Sequence, residues 1–293
     1  MVDVKKTSTT SQNVLRAHYK TLRPPNALRG NEVIILRHAE TIAEVFPDWI
    51  ERCKLDTTQL YPFDLNMPVR IPQRPNMKEA YMHDPPLSEV GRIMTQIFAR
   101  ELVVRNAIPR QIYSSPSLAS IQTALDIKNF IGNQCGAICV DESLSSNRHD
   151  SKYWLTEKDM TRLRYCIGEF CVELQTEKSS LNDIVQDMKN LVATLVQKKK
   201  QHYVVLIVTD SLAAQILYDA LSGIQSSYNE PLQQLYRKAE RTFPPVSSTV
   251  FTPSTRNGIL VMEPSRNSLR PLTRIGETTR PDFDSEEYVD AKP

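Results

Sequence analysis

The sequence predicts an α/β fold, a mostly parallel central sheet with helices packed on both faces, and two observations predict it. Short, continuous apolar runs rich in β-branched residues recur along the chain, the pattern of strands buried on both sides. Most of these runs are followed by a stretch with helical periodicity, which brings successive strands into one sheet in parallel.

The elements follow in order. Val33-Ile34-Ile35-Leu36 reads as the first buried strand, and Gln111-Ile112-Tyr113-Ser114 and 203–208 read the same way. Helical periodicity runs over 87–104 and 117–130, and most clearly over 181–196. In that last segment Leu181, Ile184, Val185, Met188, Leu191, Val192, Leu195 and Val196 share one stripe, a core face. Thr249 to Pro253 and Gly258 to Met262 read as a late hairpin. Residues 1–30 are polar and rich in Ser, Thr and Lys, and read as a flexible arm; 31–279 form the folded domain; 280–293 form an acidic tail. Residues 51–86 break the alternation. They carry prolines at 62, 68, 72, 75, 85 and 86 and show no clear period, so a long insertion over the strand ends is expected.

Composition excludes several classes. Lys and Arg total 36 against 34 Asp and Glu, so no basic footprint for nucleic acid is present. The basic run Lys198-Lys199-Lys200 closes a helical pattern and suits the negative end of a helix dipole. Cysteines stand at 53, 135, 139, 166 and 171, an odd count without a Cys-x-x-Cys pair. Neither a disulfide framework nor a metal site is expected, and no cofactor. No apolar run reaches the ~18 residues of a membrane span, and the first residues lack a signal peptide's apolar stretch. A soluble, intracellular, cytoplasmic protein is expected.

The first strand runs into Leu36-Arg37-His38-Ala39-Glu40-Thr41. An Arg-His pair at a strand terminus suits phosphoryl transfer, because imidazole can attack phosphorus while the guanidinium fork holds two phosphate oxygens. Further on come Asp84-Pro85-Pro86-Leu87-Ser88-Glu89-Val90-Gly91, Ile112-Tyr113-Ser114-Ser115-Pro116-Ser117-Leu118 and Ile121-Gln122-Thr123-Ala124. This ordered set resembles the histidine phosphatase (phosphoglycerate mutase-like) superfamily over roughly residues 31–265. Within the insertion, Leu65-Asn66-Met67-Pro68 and Ile71-Pro72-Gln73-Arg74 resemble the phosphatase domain of suppressor-of-T-cell-receptor-signalling proteins and ecdysteroid-phosphate phosphatases. The ubiquitin-binding and SH3 modules of the former are not expected within this chain.

The resemblance implies a pocket of two histidines and several arginines around one phosphate, with an acid for the leaving group. His38 matches the nucleophile and Arg37 its neighbouring anchor. The other positions depart from the pattern. Thr41 and Ala119 replace arginines, Ser146 falls where the acid is expected, and Asp210 replaces the second histidine. The expectation is a catalytically inactive relative, a pseudophosphatase acting as an interaction or scaffold protein. The alternative is an active phosphatase using His38, with a pocket rebuilt from Arg74, Arg148 and His149. The expected partner is a protein, with neither nucleic acid nor membrane involved, and the resemblance implies a homodimer. The insertion, with Tyr61, Phe63, Met67, Met77 and Tyr81, is the favoured binding surface over the terminal arms.

Overall fold

The computed structural model describes residues 27–55, 59–172, 180–198, 203–256, 259–274 and 277–278. In chain order come β1 (Val33–Arg37), the short helices α1 (Ile42–Val45) and α2 (Trp49–Arg52), then α3 (Met77–His83) and α4 (Glu89–Val104). There follow β2 (Pro109–Ser114), α5 (Leu118–Ile131), β3 (Ala137–Asp141), α6 (Glu157–Arg162) and β4 (Glu169–Cys171). The chain continues through α7 (Leu181–Lys198), β5 (Val204–Thr209), α8 (Ser211–Ser222), α9 (Leu232–Thr242), β6 (Ser248–Arg256) and β7 (Ile259–Pro264).

One sheet carries the order β4-β3-β2-β5-β1-β6-β7. The pairings among β1 to β5 are all parallel, while β6 and β7 add an antiparallel edge. β1 and β5 are buried along their whole length, which is why both read as unbroken apolar runs. Side chains alternate across β1. Ile34 and Leu36 enter a core shared with Phe98, Leu102 and Ile121 of α4 and α5. Val33 and Ile35 enter a second core with Met188 of α7, Ile216 of α8 and Leu235 of α9. Each fully buried Leu or Ile contributes about 1.5–3 kcal/mol, so both faces of the sheet are anchored.

The periodic segments form helices within two residues of their expected limits, and the late hairpin is present. The insertion is less irregular than its prolines suggest. α3 lies within it, burying Met77, Ala80 and Tyr81 at helical spacing, and Trp49 meets Tyr81 edge to face at 6.1 Å. Four of the five side chains expected to anchor a partner are therefore occupied. Met67, Met77 and Tyr81 are core residues, and Phe63 packs on Phe46 beneath Arg52. The exposed apolar residues of this segment are Tyr61, Leu65, Val69 and Met82. At the N-terminal boundary, Leu28 is buried, and the backbone N–H groups of Arg29, Gly30 and Asn31 donate to the Glu32 carboxylate at 2.6–2.9 Å. Residues 27–30 thus pack with the domain, whereas residues 1–26 of the expected arm and the tail from 280 lie outside the described residues, as do Lys199 and Lys200.

Candidate active-site cleft

The carboxyl ends of parallel strands are where a doubly wound sheet builds its sites, and a cleft of about 380 Å³ opens there. Arg37, His38, Thr41, Ala119, Ser146 and Asp210 all line it. Three strand ends bring them together. His38 follows β1 and its N–H donates to Thr209 O (2.8 Å) at the end of β5. Ser115 N–H, just past β2, donates to Val208 O (2.9 Å), and the adjoining helix α5 supplies Ala119.

The motif residues around the cleft act mainly as clamps. Ser88 caps α4 and its hydroxyl donates to Glu40 Oε1 (2.7 Å), which also accepts from Asn66 of the insertion (3.2 Å). A Cβ on Gly91 would lie 2.3 Å from the Glu40 carbonyl oxygen, so only glycine permits this close approach. Thr123 Oγ1 accepts from Ala39 N–H (3.1 Å), tying the loop after β1 to α5.

His38 is arranged as a neutral imidazole. Its Nδ1 lies 2.8 Å from Ala39 O, an acceptor, so Nδ1 carries the proton and Nε2 the lone pair. Burial lowers its pKa below 6.5, with Glu44 the largest opposing influence.

The anion-binding half of the cleft is different. Arg37 donates to Phe243 O (2.7 Å) and to the Glu44 carboxylate, so two of its donors already have internal partners. Burial alone would raise the Glu44 pKa, but Arg37, His38 and Thr41 hold it below 4.5. Glu44 is fixed there by a capping box. Thr41 Oγ1 accepts from Glu44 N–H, while Thr41 N–H donates to Glu44 Oε2 (2.6 Å). Thr41, in place of an expected arginine, thereby helps position a carboxylate on the remaining arginine. The Thr-x-x-Glu spacing was the available signal for Glu44, although the sequence reading did not use it.

Asp210 caps α8, accepting from Ala213 N–H (2.9 Å), and takes both the N–H (3.1 Å) and the hydroxyl (2.5 Å) of Ser146. Ser146 Oγ also lies 2.9 Å from Tyr236 Oη. Burial, followed by the nearby Asp210 charge, pushes the Tyr236 phenol up and keeps it protonated. Tyr236 and Glu240 reach the cleft from α9, a helix the sequence reading did not assign. Among the described residues lining the cleft, Arg37 is the one arginine and there is no lysine; the carboxylates are Glu44, Asp84, Asp150, Asp210 and Glu240.

The basic groups considered for a rebuilt pocket do not line this cleft. Arg74 is buried against Asp84 (2.9 Å) and donates to Tyr153 O (3.1 Å), with its guanidinium 4.7 Å from the Tyr81 ring centre. Arg148 pairs with Asp187 at 2.7 Å. His83, not His149, lines the cleft, paired with Asp150 at 2.9 Å and stacked on Tyr153.

Comparisons with known proteins agree with this geometry at the level of fold. The chain is 28% identical over 180 residues to the ecdysteroid-phosphate phosphatase of Drosophila melanogaster, covering 60% of this chain and 22% of the relative. It is 30% identical over 96 residues to ubiquitin-associated and SH3 domain-containing protein A of Mus musculus, covering 32% of this chain and 15% of the relative. The matched region thus spans about a fifth or less of these two relatives. The ecdysone phosphate phosphatase of Bombyx mori, solved with tungstate, superposes with a TM-score of 0.64 at 18% identity, over 83% of this chain and 95% of that one. A family model for the histidine phosphatase superfamily, branch 1, matches residues 76–238. With more than half of its length matched, and a sheet that places an Arg-His pair at the end of β1, this chain belongs to the histidine phosphatase superfamily.

Proposed function

We propose that this chain is a pseudophosphatase, a histidine phosphatase fold that does not turn over phosphate and works by binding a protein. One observation carries the reading: the Arg37 guanidinium already holds the Glu44 carboxylate and the Phe243 carbonyl. A phosphate would have to displace Glu44 or share the arginine with it. At ~4 Å and an effective dielectric near 20, each unit charge pair is worth ~4 kcal/mol. Thr41 and Ala119 supply no positive charge and Asp210 adds a negative one, so the unfavourable balance corresponds to several powers of ten in rate. Ser146 cannot protonate a leaving group as a carboxylic acid would, a further loss of about 10²–10⁴.

The test is hydrolysis of a generic aryl phosphate by the purified protein and by His38→Ala between about pH 5 and 8, the range in which histidine changes charge. Equal background rates are expected. A His38-dependent rate, or a phosphohistidine trapped at that position, overturns the reading.

A specific observation favours the second reading, an active phosphatase. Neutral His38 with its Nε2 lone pair is a competent nucleophile, and Arg37 Nε–H is buried without a hydrogen-bond partner, so this donor is open to an anion. The same rate comparison separates the two.

A further inference from the structure

The strand pairing at the far edge of the sheet assembles a group the sequence spacing conceals. β3 and β4 are adjacent and parallel, with Cys139 opposite Glu169 and Asp141 opposite Cys171. Since side chains alternate along a strand, Cys139, Asp141, Glu169 and Cys171 share one face. The Cys139 and Cys171 sulfurs and a Glu169 carboxylate oxygen lie within 4.8 Å of one another. Cys139 is buried, whereas Glu169 and Cys171 are exposed, so the group has a dry floor and an open mouth. Among the described residues it is the one cluster of His, Cys, Asp and Glu with ligand atoms this close.

We infer that Cys139, Cys171 and Glu169 form a binding site for a thiophilic divalent cation of the zinc class. Two thiolates and one carboxylate are the donors such an ion prefers, and three protein ligands make an open tetrahedral site. Zinc–sulfur bonds of about 2.3 Å place two sulfurs about 3.8 Å apart, comparable with the 4.8 Å within which these ligand atoms already lie. Asp141, on the same face, adds negative charge; its Oδ1 accepts from Ser143 N–H at 2.8 Å. The bland alternative is a buried core cysteine beside an exposed one. The metal titration below separates the two.

The site has a structural consequence. β4 is held to the sheet by three register pairs at an edge, and a metal ion across β3 and β4 would staple it there. Because the ligating cysteines must bind as thiolates, metal uptake releases protons. No Cys-x-x-Cys spacing marks such a site in the sequence; 139 and 171 stand 32 positions apart, and only the strand pairing unites them.

The full chain, reduced and freed of metal, is titrated with Co²⁺ and with Cd²⁺, and thiolate-to-metal absorption and melting temperature are followed. One equivalent of cysteine-ligated metal and a raised melting temperature are expected. Cys171→Ser, on an exposed residue that leaves the core intact, should weaken binding at least about a hundredfold, and Glu169→Gln about tenfold or more. Cys135→Ser should leave it unchanged. Absence of thiolate absorption in the parent, or binding of equal strength in Cys171→Ser, overturns the inference. So does a Cys139–Cys171 disulfide that forms in air in the presence of one equivalent of zinc.

Discussion

Two sides of one cleft differ in what they offer an anion. On the β1 side the backbone still sets a neutral imidazole on a buried loop, with Nδ1 on the Ala39 carbonyl and the next N–H on Thr123. On the opposite side, the N-termini of α5 and α8 still point into the cleft but carry Ala119 and Asp210. The difference teaches that scaffold and charge are separable. The clamps that shape the cleft are contacts among backbone groups, hydroxyls and the Glu40 carboxylate, none of which needs a cationic group at position 41, 119 or 210. Between the two sides lies Glu44, which binds the one arginine from within.

The largest expected effect reverses that charge change. Glu44→Gln, Asp210→Asn and Ala119→Arg together remove two negative charges and add one positive. Asparagine still caps a helix, so α8 keeps its N-terminal hydrogen bond. Vanadate or phosphate should bind at least about a hundredfold more tightly to the triple variant than to the parent, a modest fraction of ~4 kcal/mol per charge pair. Equal affinities in a calorimetric titration would break the electrostatic account and leave geometry as the cause.

The next effect tests the scaffold. Glycine to alanine within a helix ordinarily stabilises by roughly 0.5–1 kcal/mol. At Gly91 the added Cβ would lie 2.3 Å from the Glu40 carbonyl oxygen, a backbone atom that cannot swing aside. Gly91→Ala should therefore destabilise the domain by about 1–3 kcal/mol, read from the urea midpoint. A neutral or stabilising result would mean that α4 moves freely against the loop after β1.

These two sides were not equally legible in the sequence. Runs such as Val33-Ile34-Ile35-Leu36 and the stripe from Leu181 declare themselves because both faces of β1, and one face of α7, are buried. α9 is mostly charged and polar, with Leu235 and Ala239 its buried residues, so its period was not read and Tyr236 and Glu240 went unassigned. α3 is seven residues long between prolines, too short for its buried trio to register as a helix. The aligned cleft positions could be named from motifs, but how Arg37 is satisfied depends on a capping box and on the distant Phe243 carbonyl.

A smaller effect concerns acid. The folded pKa of His38 is below 6.5, so below pH 6.5 the unfolded chain binds more protons and stability falls with pH. The loss approaches about 1.4 kcal/mol per pH unit until His38 itself protonates. Glu44, held below 4.5, adds its own loss only in more acidic solution. The urea midpoint of His38→Gln should accordingly fall less than the parent's between about pH 7 and 5. Parallel curves would show that His38 is not held neutral, removing the contrast between the two sides of the cleft.

The smallest effect on stability should be the most informative about binding. Leu65 is 98% and Val69 78% exposed on the insertion, whose neighbouring residues Met67 and Tyr81 are core. The backbone that carries them is anchored by buried neighbours, so a partner would have to order their side chains but not the segment itself. Leu65→Ser with Val69→Ser should change the urea midpoint by no more than about 0.5 kcal/mol, as surface substitutions do. If the insertion is the surface by which the protein acts, the same variant should lose at least about tenfold in affinity for a partner recovered by pull-down. A deletion ending at residue 26, which spares buried Leu28, together with removal of 280–293, should lose less than about twofold. The reverse pattern would place recognition in the terminal segments and leave Leu65 and Val69 as ordinary exposed residues, which need no partner to explain them.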